Sequence, residues 1–272
     1  MTTQPKLTLL QAEVDETDQS FFRLLINNQS IKYLTIEPNI FSTEDMCFGP
    51  SLISILPELP PGDWNDGLVA IDPNSKDNNN NQPHFASVKR TQFPGVRNTW
   101  HDTYIDYMEL SIGRKLRTGV YEVRCLLFDD IVVAKFARFP WEIGYIENET
   151  EAYQWIDGHG VGPGFLGHLT EDDGRVIGFL MEYITDARHA GPEDVGMCRE
   201  VLSRLHDLGI RHGDTNRFNF LVRGSKATLI DFDTARKCDD RDVLCREMSD
   251  VIVGLGDLSG RGGGGSTMLA SS

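Results

Sequence analysis

The chain has 272 residues, of which 40% are hydrophobic and 25% are charged, and its formal net charge is −15. This composition is typical of a globular protein, and the length allows one large domain or two smaller ones with a substantial core. The negative charge argues against a nucleic-acid or anionic-membrane partner that is bound through bulk electrostatics, although a local basic pocket for phosphates is compatible with it.

Residues 1–103 are predicted to form a β-rich N-terminal extension. Runs of apolar and β-branched residues at 31–36, 52–56 and 68–71 are typical of short strands. The alternative that this region is a partly ordered tail stays open.

The pattern changes to longer strands from about residue 104, and three are predicted, at 107–112, 119–128 and 131–136. Between the first two lies a basic segment that contains Arg114, Lys115 and Arg117. The third strand carries Lys135 inside the run Val-Val-Ala-Lys-Phe. An unpaired ammonium group in a buried strand is strongly unfavourable. Lys135 therefore either has an acidic partner or lies on the solvent face of an edge strand.

A helix is predicted to begin near Pro140, a residue that is favoured in the first turn. Its apolar stripe consists of four residues at helical spacing, Ile143, Ile146, Thr150 and Tyr153. Glu147 and Glu151 are four residues apart and share one face of this helix, whereas Glu149 is expected to point roughly the opposite way. By default each of these glutamates is an ordinary solvated carboxylate.

A buried strand at 175–184 and a helix at 192–208 follow. The helix is well delimited, with Pro192 in its first turn and Gly209 as its C-cap. It leads the chain directly into the sequence His-Gly-Asp at 212–214.

Three polar residues follow at fixed spacing: Asp214, Asn219 five residues later, and Asp231 twelve residues after that. Apolar runs at 220–222 and 228–230 predict a short hairpin that places Asn219 and Asp231 at the same edge. Oxygen donors that converge in this way suit a hard cation such as Mg²⁺. A last helix is predicted at 239–258, and the Gly- and Ser-rich residues 260–272 have the composition of a disordered tail.

This three-part motif, His-Gly-Asp, Asn219 and Asp-Phe-Asp at 231–233, resembles the catalytic and metal-binding loops of the protein-kinase-like superfamily. The His-Gly-Asp form resembles its small members, namely aminoglycoside and choline phosphotransferases, lipopolysaccharide kinases and minimal atypical protein kinases. From about Tyr104 onward the chain is similar to fungal kinase-like proteins of unassigned substrate. The resemblance implies an α+β, two-lobed fold at 104–259 with a minimal C-terminal lobe, the lobes meeting at 181–182.

The resemblance also implies roles for site residues. Asp214 is expected to orient or deprotonate the acceptor hydroxyl, and Asn219 and Asp231 are expected to hold Mg²⁺. Lys135 is expected to bind the ATP phosphates, with Glu151 of the following helix behind it and Glu147 as the second choice. His212 is expected to brace the loop by hydrogen bonds.

Nucleotide-binding residues follow from the same resemblance. Gly113 and Gly119 match the two ends of a glycine-rich phosphate loop whose central glycine is missing. The basic side chains between them either meet phosphate oxygens or form an exposed turn. Glu182 and Tyr183 lie in the expected linker between lobes, where main-chain groups bind the adenine edge. Asp233 stands where protein kinases have glycine and is either a structural cap or a further carboxylate near the metal.

The sequence thus predicts an ATP- and Mg²⁺-dependent phosphotransferase that acts on a hydroxyl of a small molecule or a protein. A pseudokinase, which binds nucleotide or acts as a scaffold without transfer, is the alternative. A glycoside hydrolase would need paired carboxylates around a sugar cleft, and no feature of the sequence indicates such a pair. No Ala-Pro-Glu motif or long activation segment follows Asp233, so the peptide-docking region of ordinary protein kinases is not expected.

The remaining expectations concern the chain's surroundings. The five cysteines form no Cys-x-x-Cys pair, which favours free thiols over disulfides or a zinc site. No secretory signal and no apolar run of membrane-spanning length are visible. We expect an intracellular protein of the cytoplasm or nucleus. Its expected partners are a nucleotide and a hydroxyl acceptor, and neither a nucleic acid nor a membrane is expected to bind it.

Overall fold

The structure, a computed structural model, describes residues 5–71 and 82–257. The predicted tail at 260–272 lies outside the described residues. The chain divides into two compact units, Met1–Pro94 and Gly95–Ser272. The described residues form four sheets and five α-helices, which confirms the α+β class. None of the helices in the described ranges has the length and apolar character needed to cross a membrane.

The first unit is a five-stranded sheet in the order β1-β2-β3-β4-β5, with two short helices. β3 and β4 pair in parallel, and the other neighbours are antiparallel. Its core includes Phe22, Leu24, Leu34 and Leu52, all at most 1% exposed. The element bounds are β1 Leu7–Glu13, β2 Ser20–Ile26, β3 Ser30–Ile36, α1 Thr43–Cys47, α2 Gly49–Ile55, β4 Asp66–Ala70 and β5 His84–Lys89.

The predicted strands at 31–36 and 68–71 correspond to β3 and β4, but the strand predicted at 52–56 is wrong. That segment belongs to α2, which has a proline at its first turn and buries Leu52. A short apolar run is compatible with a buried strand and with one face of a helix. Pro50, in the first turn of α2, is the local signal that favours the helix.

The second unit begins with a six-stranded sheet in the order β6-β10-β11-β9-β8-β7. Helix α3 packs against β11 of this sheet. The strand predicted at 107–112 is wrong over its first residues, because Asp106 caps a 3-10 turn at Tyr107–Glu109 by accepting a hydrogen bond from the Met108 amide. The bounds are β6 Tyr104–Asp106, β7 Ser111–Arg117, β8 Val120–Arg124, β9 Val132–Phe136, α3 Ile143–Ile156, β10 Phe165–Glu171 and β11 Arg175–Glu182.

The rest of the second unit holds two helices and short strand pairs. The predicted hairpin is present as β14 and β15, and Gly224 in its turn has φ +58°. One continuous apolar core joins α3, α4, α5, this hairpin and β11, with Tyr153, Phe179, Leu202 and Phe220 fully buried. The bounds are β12 Arg188–His189, α4 Val195–Asp207, β13 Ile210–Arg211, β14 Phe220–Arg223, β15 Lys226–Leu229, β16 Arg236–Lys237 and α5 Arg241–Gly256.

Residues 95–103, placed in the extension by sequence, make their contacts within the second unit. Val96 is buried in its core. The Arg97 amide donates to Glu147 Oε2 at 2.6 Å, and the Trp100 indole N–H donates to the Thr150 carbonyl at 3.1 Å. The segment therefore lies along α3, which explains why the division falls after Pro94.

Candidate functional site

Lys135 lies at the centre of the site, on the interior strand β9. This strand pairs with β11 on one side and β8 on the other, which excludes the edge-strand alternative. The Lys135 Nζ lies 2.5 Å from Glu149 Oε2 and 2.5 Å from Asp231 Oδ1. Burial alone would lower the pKa of Lys135, but the two carboxylates outweigh it and raise the pKa. Lys135 is therefore a cation held between two acids.

Glu149 of α3 is the partner of Lys135, and the prediction of Glu151 or Glu147 is wrong. Glu151 is exposed, and Glu147 accepts the hydrogen bond from the Arg97 amide instead. The buried residues of α3 include Ile143, Ile146, Glu149, Tyr153 and Ile156. Glu149 thus belongs to the apolar stripe, and a carboxylate on such a stripe requires a partner. That signal was present in the sequence and identifies Glu149 without the structure.

The surroundings of Glu149 explain its ionisation. Its side chain is 1% exposed, and its Oε1 accepts a hydrogen bond of 3.3 Å from the Phe232 amide. Burial raises the pKa of Glu149 to about 7, although the charge on Lys135 acts in the opposite direction. The carboxylate thus links β9 to the segment that carries Asp231.

Asp231 follows β15 and has a positive φ of +69°. Non-glycine residues seldom adopt this conformation, and aspartate is among those that tolerate it. While Oδ1 contacts Lys135, Oδ2 lies 3.3 Å from Nη1 of Arg117, whose Nη2 also donates to the Phe218 carbonyl at 3.1 Å. Burial acts to raise the pKa of Asp231, but Lys135 and Arg117 outweigh it and lower the pKa. The carboxylate is held ionised.

Asp214 and Asn219 meet in the loop before β14. The Asn219 amide nitrogen donates to Asp214 Oδ2 at 3.1 Å and to the Asp214 carbonyl at 3.0 Å. Asn216 donates to the same Oδ2 at 2.9 Å. These bonds orient Asp214, whose side chain remains exposed to solvent.

The side-chain oxygen of Asn219 is suited to binding a metal ion. It is 1% exposed, and its Oδ1 has no hydrogen-bond partner in the described part of the chain. A buried amide oxygen without a partner costs on the order of 1–3 kcal/mol. Oxygen ligands of this kind suit Mg²⁺. Among the described residues no group of three or more His, Cys, Asp or Glu could hold a metal, so Mg²⁺ would need Asn219 and Asp231 with water and phosphate oxygens.

His212 and Glu247 fix the backbone of the same loop. His212 is fully buried; its Nδ1 accepts from the Asp214 amide at 3.3 Å, and its Nε2 donates to the Ile230 carbonyl at 3.1 Å. Burial lowers the pKa of His212, so the ring is neutral and braces the loop. Glu247 of α5 accepts from the amides of His212 at 3.1 Å and Gly213 at 2.6 Å.

Sequence reasoning missed Glu247. It also accepts from His206 Nε2 at 2.8 Å, and it is 5% exposed. The signal was the same as for Glu149: Glu247, Val251 and Leu255 form the buried face of α5 at four-residue spacing. A carboxylate in that series predicts buried donors on the facing segment.

A cavity of about 530 Å³ lies against Lys135, Glu149 and Asp231. This volume is in the range of small-molecule sites. Its wall is largely apolar, with the basic side chains Arg114, Arg117 and Arg188 also lining it. The apolar residues of the wall are Leu116, Val120, Val133, Pro163, Met181, Ile184, Ala187, Leu221 and Ile230. The cavity thus combines an apolar slot with a charged end.

The two glycines of the predicted phosphate loop lie where a Cβ atom would come close to a backbone carbonyl. Gly119 has φ +71°, and a Cβ there would lie 2.8 Å from the Phe136 carbonyl, so the turn requires glycine. At Gly113 a Cβ would lie 3.0 Å from the Glu122 carbonyl. Of the three basic residues between them, Arg114 and Arg117 line the cavity, while Lys115 is exposed and does not.

Glu182 and Tyr183, the predicted adenine-binding residues, also line the cavity. The Glu182 amide donates to the Gly164 carbonyl at 2.9 Å, and the Glu182 carboxylate accepts from the Gly164 amide at 3.1 Å. The Tyr183 hydroxyl accepts from Arg114 at 3.2 Å. The Glu182 amide is therefore already paired, and base contacts in this segment would have to come from other main-chain groups.

No family model matches the chain. Among curated proteins it is similar over 61 residues, with 38% identity, to a probable bifunctional tRNA threonylcarbamoyladenosine biosynthesis protein of Methanoculleus marisnigri. The matched part is 22% of this chain and 11% of that protein. The similarity is therefore local. It assigns no activity and no acceptor to this chain.

Proposed function

We propose that this protein is an ATP- and Mg²⁺-dependent phosphotransferase with a two-lobed, kinase-like second unit, acting inside the cell on a hydroxyl of a small molecule or a protein. The observation that carries the proposal is the position of Lys135 between two acids at the charged end of an apolar cavity. Such a buried charge cluster is costly, and it is typical of sites that bind a charged ligand.

In this proposal ATP binds with its base in the apolar slot and its phosphates at Lys135. Glu149 keeps the Lys135 ammonium in place while phosphate oxygens replace Asp231 as its second partner. Asp231 and the unpaired Oδ1 of Asn219 would hold Mg²⁺. When bound, Mg²⁺ neutralises charge on the phosphates.

Asp214 would act on the acceptor. Its carboxylate is exposed and oriented by Asn216 and Asn219, so an acceptor hydroxyl can reach it. The acceptor oxygen forms the new bond to the γ-phosphorus, ADP leaves, and the hydroxyl proton passes to Asp214. The rate depends mainly on this positioning, because phosphoryl transfer asks little covalent chemistry of the protein.

The local relative is named for tRNA modification, but a tRNA acceptor does not fit this chain well. The net charge of −15 opposes a polyanion that is bound through its backbone. We therefore infer that the acceptor is a small molecule or a protein.

A pseudokinase is the second candidate, and two observations favour it. Arg117 already contacts Asp231 Oδ2, the oxygen that a metal would approach, and the phosphate loop has no central glycine. In a pseudokinase this ion pair would persist in the presence of nucleotide.

The two candidates differ in turnover. With γ-labelled ATP, we expect the wild-type protein to release or transfer labelled phosphate. Asp214→Asn should lower that rate by about 10²–10⁴-fold, the usual contribution of general acid–base catalysis, with ATP affinity unchanged. Asp207→Asn, a change at the end of α4, serves as the matched control. Tight ATP binding with equal background turnover in wild type and Asp214→Asn would favour the pseudokinase.

A further inference from the structure

Three basic side chains gather around Phe218, which lies in the loop between Asp214 and Asn219. Arg117 donates to the Phe218 carbonyl at 3.1 Å. The His189 ring packs edge-on against the Phe218 ring, with 5.3 Å between centroids. The guanidinium carbon of Arg217 lies 5.5 Å from the centroid of the same ring. We call Arg117, His189 and Arg217 the Phe218 cluster.

The charges of this cluster are only partly balanced. Arg117 has Asp231 as its partner, at 3.3 Å. In the described ranges neither Arg217 nor His189 forms an ion pair with a carboxylate, and Arg217 Nε is buried without a hydrogen-bond partner. Although Arg217 is three residues after Asp214, the Asp214 carboxylate accepts from Asn216 and Asn219 instead. A buried guanidinium donor without an acceptor is unfavourable, and a bound anion would supply the acceptor.

Electrostatics support the same conclusion. Burial, followed by the charges of Arg117 and Arg217, lowers the pKa of His189. The charged form of the His189 ring is thus repelled by the two guanidinium groups. In a chain whose net charge is −15, such a local excess of basic groups has no role in bulk solubility. An anion between these side chains would remove the repulsion.

The location of Arg217 separates it from the cavity proposed for ATP. Arg117 and His189 line the cavity, whereas Arg217 does not. Arg217 belongs to the loop that carries Asp214, on the acceptor side of the proposed reaction. A group held by Arg217 would therefore lie beside Asp214 and outside the space proposed for ATP.

We propose that the Phe218 cluster binds an anionic group of the acceptor itself, so that the substrate is a hydroxyl compound which also bears a phosphate or carboxylate. This inference rests on the proposed role of Asp214. The planar guanidinium of Arg217 suits bidentate contact with such a group, and His189 adds a further hydrogen bond. Fixing the anion fixes the hydroxyl near Asp214, which is the positioning that phosphoryl transfer requires.

The test uses inorganic phosphate as the probe and the full chain as the protein. Phosphate affinity is measured by titration calorimetry with and without a saturating non-hydrolysable ATP analogue and Mg²⁺. We expect wild type to bind phosphate in both conditions and Arg217→Gln to bind it at least about tenfold more weakly, with its affinity for the ATP analogue unchanged. Arg223→Gln, an exposed arginine on β14, is the matched control for the loss of one charge and should bind phosphate as wild type does.

Two other results contradict the inference, and a third contradicts the proposed function instead. Equal phosphate affinity in wild type and Arg217→Gln would show that Arg217 only packs on Phe218. A parallel loss of affinity for the ATP analogue in Arg217→Gln would place the anion on the nucleotide instead of the acceptor. Failure of the wild type to bind the ATP analogue, with Arg217-dependent phosphate binding intact, would contradict the proposed function while leaving the anion site in place.

Discussion

Helices α3 and α5 each place a glutamate on their buried face, yet the two carboxylates have opposite ionisation behaviour. Glu149 of α3 faces Lys135, and burial raises its pKa to about 7. Burial also acts to raise the pKa of Glu247 on α5, but hydrogen bonds from His206 and from the amides of Gly213 and His212 lower it. The difference lies in the number of donors that each carboxylate receives.

This difference distinguishes Glu247, which holds a loop in place, from Glu149, which can take part in ligand binding. Glu247 accepts from two backbone amides and from His206, and together these contacts hold the 212–214 loop in one conformation. Glu149 shares a single lysine with Asp231, and a ligand phosphate can replace one of these contacts. We therefore expect loss of Glu247 to affect folding most and loss of Glu149 to affect binding most.

The largest effect is expected for Glu247→Ala. The variant leaves the buried amide of His212 and the partly buried amide of Gly213 without their acceptor, each at a cost of on the order of 1–3 kcal/mol. We expect the free energy of unfolding, measured by urea denaturation, to fall by about 3 kcal/mol in total. A change below about 1 kcal/mol would show that water or other groups satisfy these amides.

Glu149→Gln should have the next largest effect, and on ligand binding. Lys135 keeps Asp231 as its partner, so the free energy of unfolding should change by less than about 1 kcal/mol, whereas ATP affinity should fall about tenfold because Lys135 is no longer held for the phosphates. Glu151→Gln, an exposed glutamate on the same helix, is the matched control. Equal ATP affinities for the two variants would remove Glu149 from the site.

The two glutamates should also respond to pH in opposite directions. The folded pKa of Glu149 is raised from 4.5 to about 7, so its contribution to stability is complete below about pH 4.5 and is lost as the pH rises through 7. The folded pKa of Glu247 is lowered from 4.5, so its contribution is present above that value and is lost as the pH falls below it. Unfolding curves of wild type, Glu149→Gln and Glu247→Gln between about pH 2 and pH 9 separate the two contributions. The same pH dependence in both variants would contradict the assignment.

The smallest effect is expected for Arg117→Gln, which frees Asp231 Oδ2. Because the ion pair is partly exposed, the free energy of unfolding should change by no more than about 1 kcal/mol. Mn²⁺, used as a spectroscopic substitute for Mg²⁺, should bind a few-fold more tightly in the absence of nucleotide because a cation has left the site. Unchanged or weaker Mn²⁺ binding would show that Asp231 Oδ2 is not a metal position.

Local patterns in the sequence predicted much of what the structure shows around the cavity. The run around Lys135 predicted either an acidic partner or the solvent face of an edge strand, and the structure gives Lys135 two acidic partners on an interior strand. The spacing of Asp214 and Asn219 predicted their convergence, and they lie within hydrogen-bond distance. Regular apolar periods and short spacings were sufficient here because the contacts are set by one strand or one loop. The catalytic and metal-binding roles of these residues remain predictions.

What the sequence could not show depends on contacts between distant segments. Arg117 and Asp231 are 114 residues apart, and no local pattern pairs them. Glu149 is an exception, because its place on the buried stripe of α3 follows from helical spacing alone. The segment at 52–56 is a different case, because a short apolar run fits either element and Pro50 before it favours the helix that the structure shows.

The most direct measurement is calorimetric titration of ATP, with and without Mg²⁺, into the wild-type protein and Lys135→Met. Lys135 lies between Glu149 and Asp231, and methionine keeps the length of the side chain without its charge. We predict Mg²⁺-dependent ATP binding to the wild type and a loss of at least about tenfold in affinity for Lys135→Met. Absence of ATP binding to the wild type, or equal affinity in the two proteins, would contradict a nucleotide site at Lys135.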